Sequence, residues 1–455
     1  MLHRQSYEAL RKAYREGRFS PVDVIESALL HAEQVSTSLN AFALIDRNKA
    51  LDLAKASASR WRTGDPLSPL DGMPFTVKEF AAVKGWPTRR GSLVTAAEPA
   101  EKDTAFVRRL LAAGAVLFAK TRAPEFNWKG ITDSPGYGIT RNPLDPSLTP
   151  GGSSGGCSAA VAAGVVRASI GSDAGGSVRI PAAFTGTFAL KPTYGLIPLV
   201  PSPSAFFNVV HAGPIASSVA ELTDVMRIVS GPDPADWSSV GLRESIFDTS
   251  PAPTNLRVGL LMRHHWDDSC TVVKQGMQQA LDILAKNGFD IKTVDFDIRR
   301  AAQVASCFYR LGCLAAVQAV PDNVKGKLDP DLLAFVEPAR GIDIPALMGM
   351  HQARDVMAGE LNRLFDDVDV LMLPTVPIVA FEAGRNTPSN WPDNDWMSWN
   401  PYTPAFNLTQ TPALSFPIKP GNASLPMGVQ FVAAKGQDNK LIALAAWLEQ
   451  QLISA

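Results

Sequence analysis

Between residues 103 and 124 a helical pattern, TAFVRRLLAAGA, runs directly into an apolar strand pattern, VLFAK. A helix that returns the chain straight into a strand makes βαβ units, and such units build a largely parallel sheet covered by helices. A strand also precedes this pair. DPLSPLDGMPFTVKEF is punctuated by Pro and Gly and then gives a short apolar run, Met73 to Val77, ending at Lys78. The pattern returns later. NLRVGLLM (255–262) reads as a strand, TVVKQGMQQALDILAKNG (271–288) as an amphipathic helix ending on Gly, and VDVLMLPT (368–375) as another strand. With 455 residues and 46% hydrophobic content, the chain has ample material for a large α/β core.

Residues 1–60 read as helical. Tyr7, Leu10 and Tyr14 recur at helical spacing, and Gly17 fits a stop. Ser20-Pro21-Val22-Asp23 combines a capping Ser, a Pro at the first helical position and an acid in the first turn. Val22, Ile25, Leu29 and Ala32 form the apolar stripe that follows. Residues 217–231 read as a further helix, and 232–254 turn loop-like, so the central unit is placed as ending there. No repeat is visible at periods of ~20 to 50 residues.

Several classes are disfavoured. The net charge is −1 and the pI about 6.6, so no basic excess attracts nucleic acid. The N-terminus, MLHRQSYEALRKAYREG, lacks the apolar stretch of a secretory signal. No apolar run reaches the ~18 to 20 residues of a membrane span. Cys157, Cys270, Cys307 and Cys313 are scattered, without disulfide-framework or zinc-ligand spacing. A soluble, cytoplasmic protein without metal or cofactor is the expectation.

The stretch TPGGSSGGCSAA (149–160) passes at once into apolar AAVAAGVV, which a linker would not do. A phosphate loop needs a lysine after its glycines; Cys157 follows Gly155-Gly156, and no lysine follows Gly175-Gly176 either. Gly151 to Gly155 satisfies G-x-S-x-G, but a nucleophile elbow needs a strand before it. RNPLDPSLTP, with three prolines, cannot be a central strand. An elbow also needs a histidine, and none of His3, His31, His211, His264, His265 and His351 has a persuasive context. A second glycine-rich serine lies downstream, in Ser172-Asp173-Ala174-Gly175-Gly176-Ser177-Val178-Arg179. Adjacent glycines let successive N–H groups converge on an oxyanion beside Ser177. A plain Gly-Gly turn is the competing reading.

Three elements together resemble the amidase signature family of serine hydrolases: the lysine in GMPFTVKE, the serine in PGGSSGG and the serine in GSDAGGSVRIPAAFTG. Their order and spacing match as well. The likeness continues through ALKPTYGLIP (189–198), HAGPIASSV (211–219), DVLMLPTVP (369–377), YTPAFNLTQTPALSFP (402–417) and LPMGVQFVA (425–433). It implies a single amidase domain over 1–455, with a large mixed β-sheet covered by helices on both faces. Within it, 1–60 is a helical wrap, 65–231 the signature core, and 255–455 the part completing sheet and pocket.

The resemblance also implies roles. Ser177 attacks, Ser153 relays the proton and Lys78 accepts it, which requires burial to depress the lysine pKa. The peptide before the relay serine is cis in the family, here Gly152–Ser153. The N–H groups of Ala174, Gly175, Gly176 and Ser177 form the oxyanion hole. Asp173 and Arg179 brace the nest, Gly152 and Ser154 shape the relay turn, and Cys157 packs. By analogy of position, Asn127, Trp128, Gly130 and Ile131 line the acyl pocket. Phe206-Phe207 and NWPDNDWMSWNPY (390–402) are candidate walls, with Trp391, Trp396 and Trp399 alternatively in a lid or subunit interface. The expected partner is a small amide, without nucleic acid or membrane, and a homodimer is left open. The alternative is an amidotransferase subunit that releases ammonia from glutamine within a complex.

Overall fold

The apolar run at Met73 to Val77 forms a strand because it can bury both faces at once. In the computed structural model, which describes residues 1–201, 206–241, 247, 255–261 and 268–454, that strand is fully buried. The strands are β1 (Phe42–Ile45), β2 (Pro74–Lys78), β3 (Val116–Thr121), β4 (Asp133–Ser134), β5 (Gly138–Ile139), β6 (Ala168–Asp173), β7 (Phe188–Lys191), β8 (His211–Ala216), β9 (Arg257–Leu261), β10 (Asp290–Val294), β11 (Val370–Pro374), β12 (Ala413–Ile418) and β13 (Met427–Ala433). All but the β4–β5 hairpin form one 11-stranded sheet, in the order β1-β3-β2-β6-β8-β7-β12-β13-β11-β9-β10.

The sheet is mixed, and the expectation of a largely parallel one is corrected. β3, β2 and β6 are parallel, as are β11, β9 and β10, but every pairing from β6 across to β11 is antiparallel. Helix–strand alternation reports only the local crossovers at the two flanks. The middle strands return by other routes.

Helices cover both faces. They are α1 (Tyr7–Arg15), α2 (Pro21–Leu39), α3 (Arg47–Thr63), α4 (Ala105–Ala112), α5 (Gly155–Ala162), α6 (Arg179–Thr185), α7 (Val219–Val229), α8 (Thr271–Lys286), α9 (Ile298–Gln318), α10 (Pro330–Val336), α11 (Ile344–Asp367), α12 (Pro404–Leu408) and α13 (Asp438–Ser454). In β3, Leu117 joins one apolar cluster while Val116 and Phe118 join another, as the two-residue strand period requires. The capping box at Ser20 and Asp23 opens α2 as the sequence implies.

Two further expectations change. Residues 1–60 are not wholly helical, because β1 pairs antiparallel with β3, Phe42 opposite Thr121. Four residues, FALI, carry no periodicity that survives between two long helices. Ala212-Gly213-Pro214, whose composition by itself suggests a turn, is part of β8, between β6 and β7. Pro214 is tolerated because the β7 ladder covers only Ile215 and Ala216 and stops where the missing N–H begins. His264, His265, Met262 and most of the 232–254 break lie outside the described residues.

Candidate active site

Lys78 is the last residue of β2 and is wholly buried. Its Nζ is hydrogen-bonded to Ser153 Oγ at 2.7 Å and to Ser172 Oγ at 3.0 Å. Burial draws its pKa down to about 7, against weaker upward pulls from Cys157 and Asp173. Burial takes Lys120 to about 7 as well, but its Nζ is held by Pro87 O and Thr88 Oγ1. The contact with Ser153, not the depressed pKa, therefore singles out Lys78.

Ser153 follows a cis Gly152–Ser153 peptide. No strand leads into it, which removes the nucleophile elbow. A Cβ on Gly152 would lie 2.3 Å from Ile131 O and 2.4 Å from Ile131 C, so only glycine fits. Ser154 stitches this turn to the second serine loop. Its N–H donates to Ser177 O at 3.1 Å, its Oγ donates to Ser172 O at 3.1 Å, and it accepts from Ser172 N–H at 3.3 Å.

The second loop leaves β6 at Asp173. That carboxylate accepts from Gly176 N–H at 2.7 Å and Val178 N–H at 3.2 Å, and from Arg179 through two bonds at 3.0 and 2.9 Å. Burial alone would raise its pKa, yet Arg179 and the added hydrogen bonds hold it well below the usual carboxylate range. Arg179 is itself clamped by Gln430 Oε1 at 2.7 Å and Asn407 Oδ1 at 2.6 Å. Gly175 O accepts from Asn400 Nδ2 at 2.8 Å and Thr403 Oγ1 at 2.7 Å. Tying this carbonyl back turns the N–H of the same peptide, Gly176, the other way, onto Asp173.

One expected oxyanion donor is corrected. Gly176 N–H is spent on Asp173, a capping-type bond that closes the turn. The N–H groups of Ala174, Gly175 and Ser177 have no partner among the described residues.

Neither the Asp173 nor the Arg179 side chain is exposed. Asp173→Ala leaves the guanidinium charged and unpaired in the interior, at an expected cost of ~3 to 5 kcal/mol. The shift in the urea unfolding midpoint reads it. A loss under ~1 kcal/mol would mean that Gln430 and Asn407 suffice for Arg179.

Ser153, Ser172 and Ser177 open into one cavity of about 340 Å³, the lower end of the range for small-molecule sites. Phe80, Val94, Phe126, Phe206, Val210 and the α9 residues Ala315 and Ala316 make its walls largely apolar. Of the expected pocket residues, Asn127 lines it, and its Oδ1 is buried without a hydrogen-bond partner among the described residues. Trp128, Gly130 and Ile131 do not line it. Trp128 packs on Phe335 and donates its indole N–H to Asp329, Gly130 sits against Trp396 and Trp399, and Ile131 backs Gly152. Trp396 and Trp399 are fully buried within the chain, so neither offers a face to a partner subunit. Cys157 is buried beside Thr121 Oγ1, and burial raises its thiol pKa, as packing requires.

Several contributors lie outside the expected set. Ser172 falls within the second serine motif, but its contact with Lys78 depends on the β2–β6 register. Thr403 and Asn407 lie within a matched segment that carried no role, and Asn400 lies in the 390–402 stretch expected only as a wall. Tyr309 on α9 donates to Asn127 O at 2.8 Å and lines the cavity together with Ser177, and burial raises its pKa well above normal. Arg90 contributes a charge to the cavity.

His211 is bonded through Nδ1 to Val209 O at 2.9 Å, and burial keeps it neutral. His211→Ala is expected to keep kcat within a few-fold while losing ~1 to 3 kcal/mol of stability. A folded variant slowed ~10⁴-fold would make histidine the base instead.

A sequence model of the amidase family matches residues 23–442, and the chain belongs to the amidase signature family, hydrolases acting on amide C–N bonds. A glutamyl-tRNA(Gln) amidotransferase subunit from Thermus thermophilus is 33% identical over 467 residues, covering 97% of this chain and 96% of that one. A bacterial aryl acylamidase of the same family matches in structure with a TM-score of 0.90 at 25% identity, over 99% of this chain and 96% of the other. A protein from a vestigial complex, solved in tracing the origins of an s-triazine catabolic enzyme, matches with a TM-score of 0.90 at 28% identity, over 98% of each chain. No helix among the described residues is long and apolar enough to cross a membrane.

Proposed function

We propose that this chain hydrolyses a small carboxamide to a carboxylate and ammonia through a Ser177 acyl-enzyme. The observation that carries the reading is the 2.7 Å contact between Ser153 Oγ and a buried Lys78 whose pKa is about 7. In the first half-reaction Ser177 Oγ attacks the amide carbon and gives its proton to Ser153 Oγ, while the Ser153 proton passes to neutral Lys78. Negative charge collects on the carbonyl oxygen, facing the N–H groups of Ala174, Gly175 and Ser177. The proton returns through Ser153 to the departing nitrogen, the C–N bond breaks and ammonia leaves. Water then attacks the ester with the same relay, releasing the acid and restoring Ser177. Four free cysteines, two of them buried, fit a cytoplasmic setting.

The 33% identity to a component of an amidotransferase favours a second reading, ammonia release from glutamine within a complex. Ammonia release by the purified chain alone from simple amides and from glutamine tests both. Turnover of simple amides without a partner supports the first. Activity on glutamine alone, and only with a partner present, would replace it.

A further inference from the structure

Arg90 lines the catalytic cavity and contributes the one formal charge among the described lining residues. Its side chain has no hydrogen-bond or ion-pair partner among them. The nearby acids are committed elsewhere. Glu79 Oε2 accepts from Gly91 N–H at 3.0 Å, and Glu125 accepts from Ser92 Oγ and Asp329 N–H, each at 2.6 Å. Burial disfavours the Arg90 charge, with no acid offsetting that effect.

The backbone holds Arg90 where it is. Its φ is +54°, a left-handed conformation that side-chain-bearing residues seldom adopt. The carbonyl is fixed by Phe126 N–H at 2.8 Å, and the next residue, Gly91, lies so close to Ala123 and Pro124 that a Cβ would come within 2.4 Å of Ala123 O. Phe126 and Asn127, on the same cavity wall, are left-handed too, at +49° and +62°. Strained backbone of this kind gathers where surroundings over-determine a binding surface.

A half-buried cation without a counter-ion, set in an apolar cavity, favours an anion as its partner. When the departing nitrogen leaves as ammonia, only the acyl chain can bring that anion. Resting on the amidase reading above, we infer that the substrate is an amide whose acyl chain carries a carboxylate, and that Arg90 pairs with that carboxylate to select it.

The test compares length-matched pairs that differ only in carboxylate against methyl: malonamate with propionamide, succinamate with butyramide, glutaramate with valeramide. Ammonia release gives kcat/KM for each. The expected result is a preference for the anionic member at one or more lengths. Arg90→Asn, whose side chain tolerates the left-handed backbone, is expected to lower that preference on the order of 10²-fold. Arg90→Lys should restore part of it. A preference for the neutral member at every length overturns the inference, as does a ratio that Arg90→Asn leaves unmoved. Turnover of benzamide or an anilide with none of the six amides hydrolysed overturns it too, while the amidase reading stands. No turnover of any amide, together with no labelling of Ser177 by a fluorophosphonate, sinks the amidase reading itself.

Discussion

Replacing Ser177 with alanine is expected to lower kcat on the order of 10⁴-fold or more, with the fold intact. Ser177 is 2% exposed and lines the cavity, in the loop that carries the unpartnered N–H groups of Ala174, Gly175 and Ser177 itself. Ser177 O, which accepts from Ser154 N–H, belongs to the backbone and survives the change. The loop is also held by Asp173, Asn400 and Thr403, none of which uses the Ser177 hydroxyl. Unfolding midpoints should therefore match the wild type within ~1 kcal/mol. Turnover within ten-fold of wild type in a folded Ser177→Ala protein would falsify the assignment.

Lys78→Ala is expected to cost ~10² to 10⁴ in kcat, the range for a positioned proton acceptor. Ser153→Ala should cost less but still heavily, since water can bridge part of the gap. The pH profile carries a second signature. Below about 7 Lys78 is protonated and cannot take the Ser153 proton; above it the amine is free. kcat/KM should therefore rise with pH through about 7, and Lys78→Ala should abolish that limb. Histidine's ordinary pKa of about 6.5 lies too close for the position of the limb alone to identify the base. The limb must persist in His211→Ala and vanish in Lys78→Ala. The opposite pattern would transfer the role.

Much of the centre is legible in the sequence. Glycines beside Ser153 and Ser177 announce backbone geometry that ordinary residues avoid, and Lys78 ends an apolar strand run. Their order along the chain is visible without a fold. The pocket wall is different. Asn127, Trp128, Gly130 and Ile131 are near neighbours in sequence, yet only Asn127 lines the cavity. Which side chain faces in depends on the left-handed turn at Phe126 and Asn127 and on the packing of Trp396 and Trp399 from more than two hundred residues away.

The sequence by itself determined the α/β character, the helices that open the chain, and the serine and lysine set. These follow from local periodicity, turn chemistry and residues whose reactivity is intrinsic. Tertiary structure alone decided the antiparallel middle of the sheet, the place of Pro214 within β8 and the company each reactive group keeps. Ser172 reaches Lys78 through strand register, Asp173 takes Gly176 N–H out of the expected oxyanion donors, and Tyr309 arrives from α9. Arg90 is left without a counter-charge because Glu79 and Glu125 face other donors. Contacts between residues far apart in the chain depend on how whole elements pack, and a linear pattern carries information only about neighbours a few residues away.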